Sequence, residues 1–81
     1  MKPLYSPASA RLRELLTEAR SKAGLTQLDV ASRLERPQSF VSKYESGERR
    51  LDVVEFLEVC AAVQADPVKV IRQVETVRQQ V

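Results

Sequence analysis

An 81-residue chain holds one domain with one small core, and 43% apolar residues suffice to pack it, while 30% charged residues exclude a membrane protein. The net charge is only +2, but its distribution is uneven: residues 20–50 carry seven cations against four acids, and the rest of the chain is at −1. A single cysteine, Cys60, and no histidine exclude an internal disulfide, a Cys/His zinc site and any histidine-dependent nucleophile, so neither enzyme activity nor a cofactor is expected.

Residues 1–6 read as an extended arm and residues 7–81 as the domain. The opening MKPLYSPASA has no apolar core of a signal peptide, and no apolar run, that through residues 60–63 included, is long enough to span a bilayer. The expected compartment is the cytoplasm. Ser6-Pro7 marks a helix start, with serine as N-cap and proline at the first helical position. The first helix is predicted from Pro7 to Ala23. Leu12, Leu15, Leu16, Ala19 and Ala23 recur at three- and four-residue spacing and share a face. Arg11, Arg13, Glu14, Glu18 and Lys22 fill the other, with Glu18 and Lys22 an i,i+4 pair of favourable polarity. Gly24 stops the helix in a left-handed conformation.

The second helix starts at Thr26, with Asp29 completing a capping-box-like pair, and turns Val30, Ala31 and Leu34 inward. Leu28 is apolar where solvent is expected, either an exposed hydrophobe or a partner contact. Pro37 in Glu35-Arg36-Pro37 biases Arg36 toward extended backbone and opens the third helix, Gln38 to Ser46. That helix buries Val41 and Tyr44, the tyrosine hydroxyl lying at the core's edge, and ends at Gly47. Asp52 caps a fourth helix with Phe56, Leu57, Val59, Cys60 and Val63 on a broad apolar face. Cys60 reads as an inert buried residue. Asp66-Pro67 starts the fifth helix, residues 67–81, carrying Val70, Ile71, Val74, Val77 and Val81. No segment alternates with a period of two, so the fold class is all-α, five helices in one domain.

The ordered set Leu25-Thr26-Gln27, Val30-Ala31, Leu34, then Gln38-Ser39-Phe40-Val41-Ser42-Lys43-Tyr44-Glu45-Ser46-Gly47, resembles the phage-repressor and Cro type of helix-turn-helix domain, also called the XRE type. The motif itself spans residues 26–46, and the likeness continues without a gap to Ile71. Two positions depart from the family pattern. Glu35 stands where the family has a turn glycine, and Pro37 where it caps the third helix with Ser or Thr; together they imply a slightly different turn path. The resemblance also implies that Gln27 binds a phosphate and that Glu45 pairs with Arg20, clamping the third helix to the first.

The third helix has the chemistry for a DNA major groove, which admits one α-helix whose outward side chains hydrogen-bond base edges. Gln38, Ser39, Ser42 and Lys43 are the base-reading candidates. Gln38 sits at the N-terminal end, and its amide matches adenine N6 and N7; Lys43 could reach guanine or a phosphate. Gln27, Arg36, Ser46, Arg49 and Arg50 are the backbone candidates, with Arg49 or Arg50 also able to enter a narrow minor groove. Phe40 either touches a thymine methyl or packs toward the fourth helix; packing is favoured. Val70, Val74, Val77 and Val81 step by four, three and four, a heptad-like seam for a homodimer, against a frayed terminal helix as the plain alternative.

The expected function is a sequence-specific, double-stranded DNA-binding transcriptional regulator, a repressor acting as a dimer on a palindromic operator. No small-molecule ligand or membrane partner is implied. Alternatives are an antitoxin partnered by a toxin, a restriction-system controller, or a helical protein-interaction module without DNA binding.

Overall fold

Four of the five helices begin where a side-chain oxygen accepts a backbone N–H that the first turn leaves without a partner. The computed structural model describes residues 6–80, so residues 1–5 of the proposed 1–6 arm, and Val81, lie outside the described residues. Ser6 caps α1 (Pro7–Lys22) by accepting from Ser9, with Pro7 just inside. Thr26 and Asp29 form a reciprocal capping box on α2 (Gln27–Leu34), at 2.8 and 3.0 Å. Asp52 and Glu55 do the same on α4 (Val53–Val63), at 2.7 and 3.0 Å. Asp66 accepts from Val68 ahead of α5 (Pro67–Gln79). Each cap contributes about 1 kcal/mol. The exception is α3 (Gln38–Ser46), where Pro37 occupies the cap position and offers no side-chain acceptor.

The apolar faces meet in one core: Leu15 and Leu16 of α1, Val30 and Ala31 of α2, Phe40, Val41 and Tyr44 of α3, Phe56, Val59, Cys60, Ala62 and Val63 of α4, and Val70 of α5. Leu12, Ala19, Leu25, Leu34, Leu51, Ala65 and Val74 close its margins. The α1–α5 packing is reinforced where Arg11 Nη2 donates to Gln73 Oε1 at 3.0 Å. The Cys60 thiol is buried, and desolvation pushes its pKa up to about 11, which keeps it protonated.

Three local expectations are corrected. Glu18 faces Arg11 at 3.9 Å, and Glu14 also pairs with Arg11, so the acids of α1 turn to the N-terminal arginine instead of forming a Glu18–Lys22 pair. Leu57 is not on the inward face of α4 but 48% exposed, because Phe56, Val59, Cys60 and Val63 already fill the arc facing the core. The Tyr44 hydroxyl is not at the core's edge: the residue is 1% exposed and its Oη has no hydrogen-bond partner among the described residues. Burial pushes that phenol's pKa well above its ordinary value.

Candidate nucleic-acid interface

Helix α3 has two chemically distinct faces. Val41 and Tyr44 are fully buried, whereas Gln38, Ser39, Ser42, Lys43 and Ser46 are all exposed. The side chains of Gln38, Ser39, Ser42 and Lys43 make no hydrogen bond or ion pair with any described residue, so their full donor and acceptor capacity faces outward. Ser46 is different. Its hydroxyl donates to the Lys43 carbonyl at 3.2 Å and accepts from Glu48 N–H at 3.4 Å, so its donor is already used at the end of α3.

The turn into α3 is closed by backbone alone: Glu35 N–H donates to the Ser32 carbonyl and Arg36 N–H to that of Ala31. Glu35 adopts φ 55°, ψ 43°, the left-handed region that glycine enters without steric cost. The absent glycine is thus registered as strain at one residue. Pro37, at φ −62° and ψ 152°, then turns the chain into α3.

Glu45 holds the other side of α3. It accepts from Arg20 Nε at 2.7 Å, Arg20 Nη2 at 3.1 Å and Gln27 Nε2 at 2.9 Å. Arg20 Nη1 also donates to the Leu25 carbonyl at 3.0 Å, so one guanidinium and one carboxylate tie together α1, the following loop, α2 and α3. The hydrogen bond to Glu45 raises the pKa of Arg20 further, keeping it charged. Gln27 therefore has one amide N–H committed and one left. The Thr26–Asp29 box uses two N-terminal donors of α2, leaving the backbone N–H groups of Gln27 and Leu28 open. Leu28 itself is 61% exposed.

Glu55 is the residue sequence reasoning missed. It is only 9% exposed, yet it receives Arg49 Nη1 on Oε1 at 3.0 Å, Arg49 Nη2 on Oε2 at 2.8 Å, and Arg36 Nη2 on Oε2 at 3.3 Å. The hydrogen bonds from Arg49 and from the Asp52 backbone hold its carboxyl down to a pKa of about 2. Both guanidiniums lie over the Phe40 ring, 4.4 and 4.7 Å from its centroid, and Phe40 meets Tyr44 edge-on at 5.6 Å. Phe40 thus packs inward and does not reach for a base. The available signal was Asp52-x-x-Glu55, a capping-box spacing with both members acidic. Arg50, the remaining backbone candidate, is exposed and pairs with no acid among the described residues.

The proposed dimer seam on α5 is largely consumed. Val70 is 6% exposed, Val74 packs against the core, Val77 is half-buried, and Val81 lies outside the described residues. A heptad-like row serves intramolecular packing as well as a partner, and α1 already occupies it. The apolar side chains left outside α5 are Val68 and Ile71. Among the described residues, no helix is long and apolar enough to cross a membrane, and no His/Cys/Asp/Glu group is placed to hold a metal ion.

The family model described as a helix-turn-helix domain matches residues 11–79. Among solved structures, the chain is similar to an XRE-family like protein from Pseudomonas syringae pv. tomato str. DC3000, with 51% identity, coverage of 85% of this chain and 84% of that one, and a TM-score of 0.81. No curated protein matches.

Proposed function

Because the chain belongs to the XRE family of helix-turn-helix DNA-binding domains, we propose that it is a repressor that binds a palindromic operator as a dimer and blocks transcription by occupying it. The observation that carries this reading is the outward face of α3. Four adjacent polar side chains, Gln38, Ser39, Ser42 and Lys43, are exposed and unpartnered on a helix whose opposite face is locked into the core. In a major groove, Gln38 at the first turn would read adenine through its amide, Ser39 and Ser42 would allow close approach, and Lys43 would reach guanine or a phosphate. Around them, Arg50, the open N–H groups at the start of α2 and the remaining Gln27 amide N–H supply backbone contacts.

One recognition helix reads few base pairs, so two copies would place two helices in successive major grooves, about 34 Å apart. Among the described residues of the proposed valine seam, Val77 remains partly available, beside the exposed Val68 and Ile71. Selection of bound duplexes from a random pool tests the reading directly. A symmetric site is expected, and Gln38→Ala should cost about 1–3 kcal/mol at one base pair and little elsewhere. A uniform loss over all sequences would remove Gln38 as a base reader.

A further inference from the structure

The Arg36–Phe40–Arg49–Glu55 cluster does more than fasten α4. The two arginines flank α3 in the chain, one in the turn before it and one in the segment after it, and Glu55 of α4 brings both to one place. We propose that Glu55 is a positioning residue for DNA. It sets Arg36 and Arg49 over Phe40 as a fixed pair of guanidiniums that grips backbone phosphates beside the recognition helix. The proposal rests on the DNA-binding reading above.

The Glu55 carboxylate is saturated. Oε1 accepts from Asp52 N–H and Arg49, and Oε2 accepts from Arg49 and Arg36. Buried and fully engaged, it offers no free acceptor to repel an incoming phosphate. The guanidiniums behave oppositely. Their side chains are 40% and 37% exposed, and two cations against one carboxylate leave the cluster at +1. Arg49 spends three N–H groups, two on Glu55 and one on the Arg50 carbonyl, and keeps two; Arg36 spends one and keeps four. Both guanidiniums lie over the Phe40 ring and are hydrogen-bonded to Glu55, so part of the rotamer freedom an arginine ordinarily loses on binding is already spent in the free protein. A planar fork held in place suits a phosphodiester better than a mobile ammonium.

The test compares the full-length wild type with Glu55→Gln, Arg49→Lys, Arg49→Ala and Arg36→Ala. Affinity for a selected duplex is measured by fluorescence anisotropy over a salt series, with thermal melts alongside. Glutamine at 55 can still accept from Asp52 N–H, so the cap of α4 is retained. Positioning predicts that Glu55→Gln weakens binding about tenfold although it makes the protein more positive, the scale of one charge-assisted hydrogen bond. Arg49→Lys should weaken it comparably with charge unchanged, and each alanine variant should flatten the salt slope by about 0.9. Binding by Glu55→Gln that equals or exceeds wild type overturns the proposal, because Glu55 would then only mask the arginines. Should Glu55→Gln melt below the assay temperature, the alanine variants decide, and unchanged slopes in both overturn it. A wild type that binds duplex DNA with no salt dependence takes down the DNA-binding reading itself, an outcome distinct from failure of the variants.

Discussion

Replacing Glu45 with alanine tests how the recognition helix is held. The carboxylate accepts three hydrogen bonds, two from Arg20 and one from Gln27, and the paired side chains are only 17% and 8% exposed. Its removal leaves the Arg20 guanidinium with one acceptor, the Leu25 carbonyl, and leaves Gln27 with none. Arginine cannot relieve the loss by giving up its proton. A largely buried ion stripped of its partner costs about 3–5 kcal/mol. That is a large share of the roughly 5–15 kcal/mol by which a domain is stable. At about 4–8 °C per kcal/mol for a domain of this size, Glu45→Ala should lower the melting temperature by at least about 12 °C, measured by circular dichroism. The double substitution Arg20→Met with Glu45→Leu should cost much less than the two single changes added together, because neither charge is then stranded. A single-variant shift below about 4 °C, or strict additivity in the cycle, would refute the clamp.

Three further outcomes follow from individual residues. Tyr44→Phe deletes a buried hydroxyl that has no partner among the described residues, so chemical denaturation should show stability unchanged or raised by up to about 1–2 kcal/mol; a loss of that size would mean the hydroxyl is satisfied. Glu35→Gly relieves a left-handed non-glycine residue and should raise the melting temperature by the equivalent of about 1 kcal/mol, with DNA affinity unchanged; a lower melting temperature would contradict the strain. The carboxyl of Glu55 is depressed from 4.5 to about 2 in the folded chain, so the stability it contributes is complete above the unfolded value and is lost as pH falls from about 4.5 toward about 2. An acid titration of stability should therefore be less steep over that window in Glu55→Gln than in wild type, and identical titrations would remove the linkage.

Local chemistry was legible in the sequence where a neighbour in the chain decides the outcome. Ser6-Pro7, Thr26 with Asp29, and Asp66-Pro67 start helices through contacts two or three residues away, and the structure starts helices there. The apolar spacing likewise located Leu15, Leu16, Val30, Ala31 and Val41 in the core. What required the third dimension was the choice among competing partners. Glu18 had Lys22 within reach and faces Arg11. Arg36 and Arg49 read as separate backbone-contact candidates, with no shared partner, because the acid that gathers them, Glu55, belongs to α4. The α5 valines repeat with the same period whether α1 or a second copy covers them.

The two acids Glu45 and Glu55 explain why a net charge of only +2 is compatible with a polyanion partner. Neither need touch DNA for the interface to work. Glu45, on α3 itself, is spent on Arg20 and Gln27, and Glu55 of α4 on Arg36 and Arg49, the two arginines that flank α3 in the chain. Their negative charge is buried in pairs; Arg20 is largely buried with Glu45, whereas Arg36 and Arg49 keep partly exposed donors. Lys43 and Arg50 stand outside both networks and carry charge with no acid beside them among the described residues. An anion approaching α3 would therefore meet Lys43, Arg50 and the partly exposed Arg36 and Arg49 first, since fields at a surface follow the exposed charges. The same arrangement separates two jobs that a purely basic surface would merge: buried carboxylates fix where the helix points, and exposed amides and hydroxyls on α3 remain free to discriminate among bases.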